Sequence, residues 1–187
     1  SRGRALPSLL GRRGMTRSAS EGDSRLDRMI ARLTAQRACL ELAAALIADM
    51  PGPVAELGLG KARTYDHLVR LFPDRAVYAF DRGIHCPPEA VPPAERLVLG
   101  EFEATLPGAL ELLRAAPVLV HVDMGTADRA GDAGPARRVG ALLANLIAPG
   151  GVALADRDLG LAGWQAVPLP EGVGRWPYFI WRRSAAD

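Results

Sequence analysis

Three short apolar runs in this sequence end on an acid: "AVYAFD" at Asp81, "VLVHVD" at Asp123 and "VALAD" at Asp156. A fourth, "VAEL", carries Glu56 within it and is followed at once by Gly58 and Gly60. Carboxylates at the mouths of buried strands can accept paired hydroxyls, hold an amine, bind a divalent cation or take up a proton. Glycines two apart let the backbone approach a ligand closely. A glutamate inside an apolar strand is costly unless partnered, so Glu56 argues against a bland strand-to-helix turn. Among the histidines, His85 sits beside Cys86 in an irregular loop and is free to act as a base. His121, inside an apolar run, reads as a satisfied core histidine, and His67 as a surface residue. Tyr65, on the helix after the glycines, is expected to line the pocket.

The elements that must position these groups alternate. Asp23 or Ser24 can cap a helix over 23–50, with Leu26, Met29, Ile30, Leu33, Leu40 and Ile47 at helical spacing and Pro51 to stop it. Strands are expected at 54–57, 76–80, 96–99, 118–122, 152–155, 164–167 and 178–182. Helices are expected after the glycines, at about 107–115 and at 135–148. Strands alternating with helices make a parallel sheet with helices on both faces. The connection after Asp156 is too short for a crossover helix, and "LPEGVGRWP" reads as a hairpin, so the final strand is expected antiparallel. The fold class is α/β: a Rossmann-like, doubly wound, mostly parallel seven-stranded sheet. In such sheets the ligand sits at the carboxyl ends of the strands.

Details of the glycine turn discriminate between ligands. A phosphate-binding P-loop is excluded, because "GK" is followed by Ala62 and no glycine lies five residues before Gly60. The dinucleotide pattern G-x-G-x-x-G meets Arg63 where its third glycine belongs. The stretch instead resembles motif I of the class I S-adenosylmethionine (SAM)-dependent methyltransferases, E-x-G-x-G-x-G, seen as Glu56, Gly58, Gly60 and, in place of the last glycine, Ala62. Asp81 lies where that family places an acid on the ribose hydroxyls, and "LIAPGGVALAD" is similar to its segment leading into strand five. The resemblance implies SAM as cofactor, held by Glu56, Leu57, Gly58, Gly60, Asp81, Arg82, Glu101, Phe102 and Asp123. Glu56 would organise the loop near the methionine end, and Glu101 and Phe102 would read and stack on adenine.

For catalysis the candidates are Asp123 and His85. Catechol-type relatives bind a metal with an acid after strand four and an Asp-Asn pair after strand five. Here Asp123 and Asp156 are the candidates, but Arg157 stands where the Asn would be and a guanidinium cannot ligate a metal. No metal is expected. Asp123 would otherwise sit beside the methionine amino group or the acceptor, and Asp156 would pair with Arg157 or Arg129. With little chain to spare for a separate substrate domain, the first helix and the loop after Asp123 must shape an acceptor site. The expected activity is methyl transfer to a small-molecule acceptor; alternatives are a SAM-binding protein without transferase activity and an NAD(P)-dependent oxidoreductase.

Composition agrees with this class. Residues 1–14 hold four arginines and no acid, so the formal charge of +2 leaves the remainder at 2 − 4 = −2. A mildly acidic body argues against a nucleic-acid platform. No apolar run reaches the roughly 20 residues that span a bilayer. Residues 1–22 are expected to form a disordered basic leader, with the part before Met15 read as an upstream extension in preference to a basic targeting segment, and 23–187 a single domain. Cys39 and Cys86 lack metal-type spacing, which suggests a reducing cytoplasm. An apolar stripe on the first helix or the "PYFIW" strand could make a homodimer.

Overall fold

The computed structural model describes residues 22–174 and 176–185. Apart from Gly22, the expected leader lies outside the described residues. The chain runs α1 (Arg25–Leu46), β1 (Val54–Leu57), α2 (Arg63–Leu71), β2 (Val77–Asp81), β3 (Leu97–Leu99), α3 (Phe102–Thr105) and α4 (Ala109–Leu113). It continues with β4 (Leu119–Val122), α5 (Arg129–Leu146), β5 (Val152–Ala155), β6 (Gln165–Ala166) and β7 (Phe179–Arg182). The seven strands form one sheet in the order β3-β2-β1-β4-β5-β7-β6. β3, β2, β1, β4 and β5 are parallel, and β7 runs antiparallel to both β5 and β6. The chain builds outward from β1 to β3, then crosses back to β4, so the switch point lies between β1 and β4.

Alternation along the strands feeds two cores. Val54, Val77, Ala79, Leu119, Val152 and Leu154 face α1 and α2, packing on Cys39, Leu40, Ala43 and Leu68. Ala55, Leu57, Phe80, Val120, Val122 and Ala153 face the opposite way, onto Leu106, Ala109, Val139 and Leu143. Every residue of β1, β4 and β5 is buried, as expected of parallel strands covered on both sides. Glu56 and His121 fall on the α1–α2 face, directly beside each other in the β1–β4 register.

Ser24 proves to be the cap of α1, in a capping box with Asp27. Three expectations need correction. The helix expected over 107–115 is broken into α3, a 3-10 turn at Leu106–Gly108 and α4. α5 begins at Arg129, not at Pro135, which lies within it. The "PYFIW" strand is not a sheet edge, because β6 pairs along its outer side; it offers no open strand for a dimer. The stripe on α1 is exposed, with Leu26 at 67% and Ile30 at 54%.

Candidate active site

β1 ends at Leu57, whose carbonyl accepts the Asp123 N–H at 2.8 Å, and the Gly58 N–H donates to the Phe80 carbonyl at 2.8 Å. Gly58 holds φ +95, and a Cβ there would lie 2.2 Å from the Asp123 carbonyl oxygen. Only glycine fits so close an approach of two strand ends. Gly60 also has a positive φ, +50, but a Cβ would meet nothing within 4 Å. The turn then folds onto Asp81: Oδ2 accepts the Leu59 N–H at 2.7 Å and the Gly60 N–H at 3.2 Å, while Oδ1 accepts the Gly83 N–H at 3.2 Å. Lys61 closes the far side by donating to the His85 carbonyl at 2.8 Å.

Glu56 is fully buried beneath this turn. Its carboxylate accepts the Thr64 hydroxyl from the first turn of α2, and His121 Nδ1 lies 2.7 Å from its other oxygen. The second ring nitrogen of His121 faces the Tyr178 hydroxyl. Burial raises the Glu56 pKa against the pull of His121. For His121, burial alone would lower the pKa, but the charge and hydrogen bond of Glu56 outweigh it and hold the value above 6.5. This buried relay fastens the glycine turn to β4 and to the approach to β7. Glu56 and Leu57 lie buried beneath the turn, and neither is among the residues that border the cavity at the switch point. Tyr65 is likewise a core residue, its hydroxyl turned to the Val77 carbonyl. His121 is the satisfied core histidine expected of it, and His67 is half-buried.

The two remaining acids are both held by arginines. Arg32 of α1 donates to both oxygens of Asp123, at 2.7 and 2.8 Å, and Gln36 adds a bond of 2.8 Å. α1 is thus clamped over the ends of β1 and β4. Asp156 Oδ2 accepts from Arg157 at 2.7 Å and lies 4.0 Å from Arg129. Burial raises the pKa of Asp156, and the charge of Asp123 adds to this. Arg157 also donates to Asp132 through Nε at 3.0 Å and Nη2 at 2.8 Å, and to the Thr126 carbonyl at 2.6 Å. Burial would raise the Asp132 pKa, but bonds from Thr126 and Arg157 lower it overall. Among the described residues no group of three His, Cys, Asp or Glu side chains could hold a metal ion.

A cavity of about 540 Å³ opens at the switch point. Gly58, Gly60, Asp81, Arg82, His85 and Asp123 border it, and Glu101 and Phe102 complete the wall beyond β3. Most of the residues singled out from the sequence thus converge on one space. What sequence reasoning missed were the partners: Arg32, Gln36, Thr64, Tyr178 and Asp132. A buried glutamate demands such partners, but its spacing does not say which residues supply them.

The sequence profile of a family described as S-adenosyl-L-methionine methyltransferase matches residues 23–183. The chain belongs to this methyltransferase family. Among solved structures it is similar to an S-adenosyl-L-methionine methyl transferase from Silicibacter pomeroyi DSS-3, at 41% identity and a TM-score of 0.79, covering 87% of this chain and 99% of that one. The calicheamicin methyltransferase CalS11 shares the fold at 17% identity and a TM-score of 0.55, covering 85% of this chain and 80% of its own. The sugar N-methyltransferase KedS8 from Streptoalloteichus sp. does so at 13% identity and 0.52, covering 97% and 100%. No curated protein matches. The methyltransferase is an enzyme whose cofactor is SAM, which removes the oxidoreductase and non-catalytic alternatives.

The cavity suits that cofactor. A carboxylate offers about four acceptor sites, and the three amides on Asp81 leave room for a ribose hydroxyl. Phe102, half-buried, presents apolar surface beside the exposed Glu101. No helix of the methyltransferase among the described residues is long and apolar enough to cross a membrane.

Proposed function

We propose that this methyltransferase acts on a small-molecule acceptor, with SAM lying across the cavity between the glycine turn and Phe102. Bound SAM supplies an activated methyl group on a sulfonium, so the protein's task is positioning and the exclusion of water. In this reading Asp81 accepts a ribose hydroxyl, and Gly58 and Gly60 bring backbone against the methionine end. Arg82, Glu101 and Phe102 border the adenine. Glu56 and Leu57 act from beneath by fixing the turn. Asp123, held by Arg32 and Gln36, keeps α1 closed over the site and turns its remaining acceptor capacity toward the methionine amino group. His85, at the exposed rim beside Asp81, is the weaker of the two catalytic candidates because it stands at the ribose end.

The observation that carries the acceptor reading is a second cavity, of about 460 Å³, bounded by α1 and the loop after β4. It shares Gly125 and Thr126 with the first, so an acceptor seated there would meet the methionine end of the cofactor. This is the place the sequence left for an acceptor, between the first helix and the loop after Asp123. The free thiols Cys39 and Cys86 suit a reducing cytoplasm, and burial pushes the Cys39 pKa up to about 12, which keeps it inert.

The test is calorimetric titration of SAM and S-adenosylhomocysteine into the full chain, with Asp81→Ala as control, followed by an acceptor screen that reads S-adenosylhomocysteine release. Micromolar binding that falls at least about tenfold in the variant is expected from loss of a charge-assisted bond. Unchanged binding by the variant would remove Asp81 from the ribose. Turnover with RNA but no small molecule would overturn the acceptor class.

A further inference from the structure

The second cavity has a marked chemical character. Arg25, Arg28, Arg32, Arg129 and Arg157 line it, with Trp176 and Met29 among the apolar wall and Asp156 the one acid. Three of these cations already face acids: Arg32 pairs with Asp123, Arg157 with Asp132 and Asp156, and Arg129 Nη1 lies 4.0 Å from Asp156 Oδ2, which leaves Arg25 and Arg28 in excess. Arg28 donates to the backbone carbonyl of Asp23, at 2.7 Å. Arg129 spends its Nη2 on the Asp156 carbonyl, at 2.5 Å, and stacks over the Trp176 ring at 5.8 Å. Positive charge therefore exceeds negative charge around this space.

A second observation is independent of the charge count. Of the buried side-chain polar atoms that have no hydrogen-bond partner among the described residues, all but His67 Nε2 belong to this cavity: Arg32 Nε, Arg129 Nη1, Trp176 Nε1 and Asp156 Oδ1. Asp156 is only 3% exposed, so its unpaired oxygen is closed to bulk water. Buried polar groups left unpaired each cost free energy, and where they cluster around a space they describe the ligand that would pair them. Here three N–H donors and one oxygen acceptor belong to residues that border one space.

We infer that the acceptor of this methyltransferase is a small molecule bearing an oxyanion, a carboxylate or phosphate, together with a hydroxyl or amine. The oxyanion is held by Arg129 and the Trp176 N–H with Arg25 and Arg28 at the mouth, and the hydroxyl or amine donates to Asp156 Oδ1. The inference rests on the acceptor reading above. Crowding supports it: burial and the neighbouring Arg157 both pull the Arg129 pKa down, a cost that a bound anion would offset.

The experiment titrates the full chain, saturated with S-adenosylhomocysteine, with para-hydroxybenzoate, para-hydroxyphenyl phosphate, the neutral para-hydroxybenzamide, unsubstituted benzoate and a short single-stranded RNA. Saturable binding of either anion, at least about tenfold tighter than the amide, is expected, and the tighter of the two names the oxyanion. Arg129→Gln should weaken it about tenfold or more and Trp176→Phe severalfold. Benzoate, lacking the donor, should bind more weakly than its hydroxy analogue. S-adenosylhomocysteine affinity should be unchanged in both variants, which shows that they fold. Equal binding of amide and anions, no loss in Arg129→Gln, or displacement of the anions by RNA would overturn the inference while leaving the cofactor reading intact. Failure of S-adenosylhomocysteine itself to bind would instead sink the reading on which it rests.

Discussion

At the scale of single residues, the two motif glycines differ in what they permit. Gly58 faces the Asp123 carbonyl at a separation no Cβ can share, whereas Gly60 faces open space. Gly58→Ala is therefore expected to force β1 and β4 apart at their ends and abolish SAM binding. Gly60→Ala should cost only the left-handed backbone strain, about 1–2 kcal/mol, which paired denaturation and titration curves would separate. The third motif position is Ala62, with φ +60 and 2% exposure. It adopts the conformation a glycine would take, and its buried methyl packs in the core. The sequence pattern located this turn correctly through its glycines, yet placed Glu56 on the ligand. The structure shows Glu56 fully buried, with one carboxylate oxygen on Thr64 and the other on His121, which suits the role of organising the turn from beneath.

That relay carries its own expectation. His121→Phe would strand the Glu56 charge in the core and is expected to cost about 3–5 kcal/mol; adding Glu56→Gln should recover part, since the unpaired charge is then gone. The pH dependence has a definite sign. His121 holds its proton above the ordinary 6.5, so the native state binds more protons than the unfolded chain as pH rises. The stabilisation is complete below about 6.5 and declines as pH climbs through the raised native value. Asp132, lowered below 3.8, acts oppositely: its contribution is present above that value and fades as pH falls through the native one. Denaturation at a series of pH values should show both limbs in the parent and a flatter alkaline limb in His121→Phe. An unchanged alkaline limb would place the proton elsewhere.

Among the elements, β1, β4 and β5 were legible because buried parallel strands are short and continuously apolar. The start of α5 was not. "RAGDAGP" has two glycines and a proline, poor helix formers all. Tertiary bonds supply what propensity lacks: Asp128 caps the Gly131 N–H at 3.0 Å, and Asp132 accepts from the Thr126 N–H at 2.7 Å and from Arg157. Gly140 further along is required because a Cβ would lie 1.9 Å from the Leu159 carbonyl oxygen, where the helix rides on the loop after β5. Arg157 is the centre of this arrangement, and its sequence position suggested only a missing metal ligand. Arg157→Leu should leave Asp132 and Asp156 buried without their cation, costing about 3–5 kcal/mol. Hydrogen exchange should find the loss concentrated at 124–134, with the sheet protected.

At the scale of the whole molecule, α1 belongs to two regimes. Its second half is core, with Ala35, Cys39, Leu40 and Ala43 essentially inaccessible, while its first half exposes Leu26, Met29, Ile30 and Leu33. The helical spacing of those residues predicted one apolar stripe and could not reveal where along the helix burial begins. What holds the outer half in place is Gln36 and the Arg32–Asp123 ion pair, which joins Arg32 in the wall of the second cavity to Asp123 in the wall of the first. Removing one partner of so specific a pair should release the outer half without unfolding the inner one, because the inner half draws its stability from apolar burial. Arg32→Gln is thus expected to speed amide exchange at 25–34 while 35–46 keeps its protection, and to weaken acceptor-site ligands more than S-adenosylhomocysteine. If exchange quickened equally along the whole helix, α1 would be one cooperative unit, and the closure of the acceptor cavity would have to rest on the loop after β4.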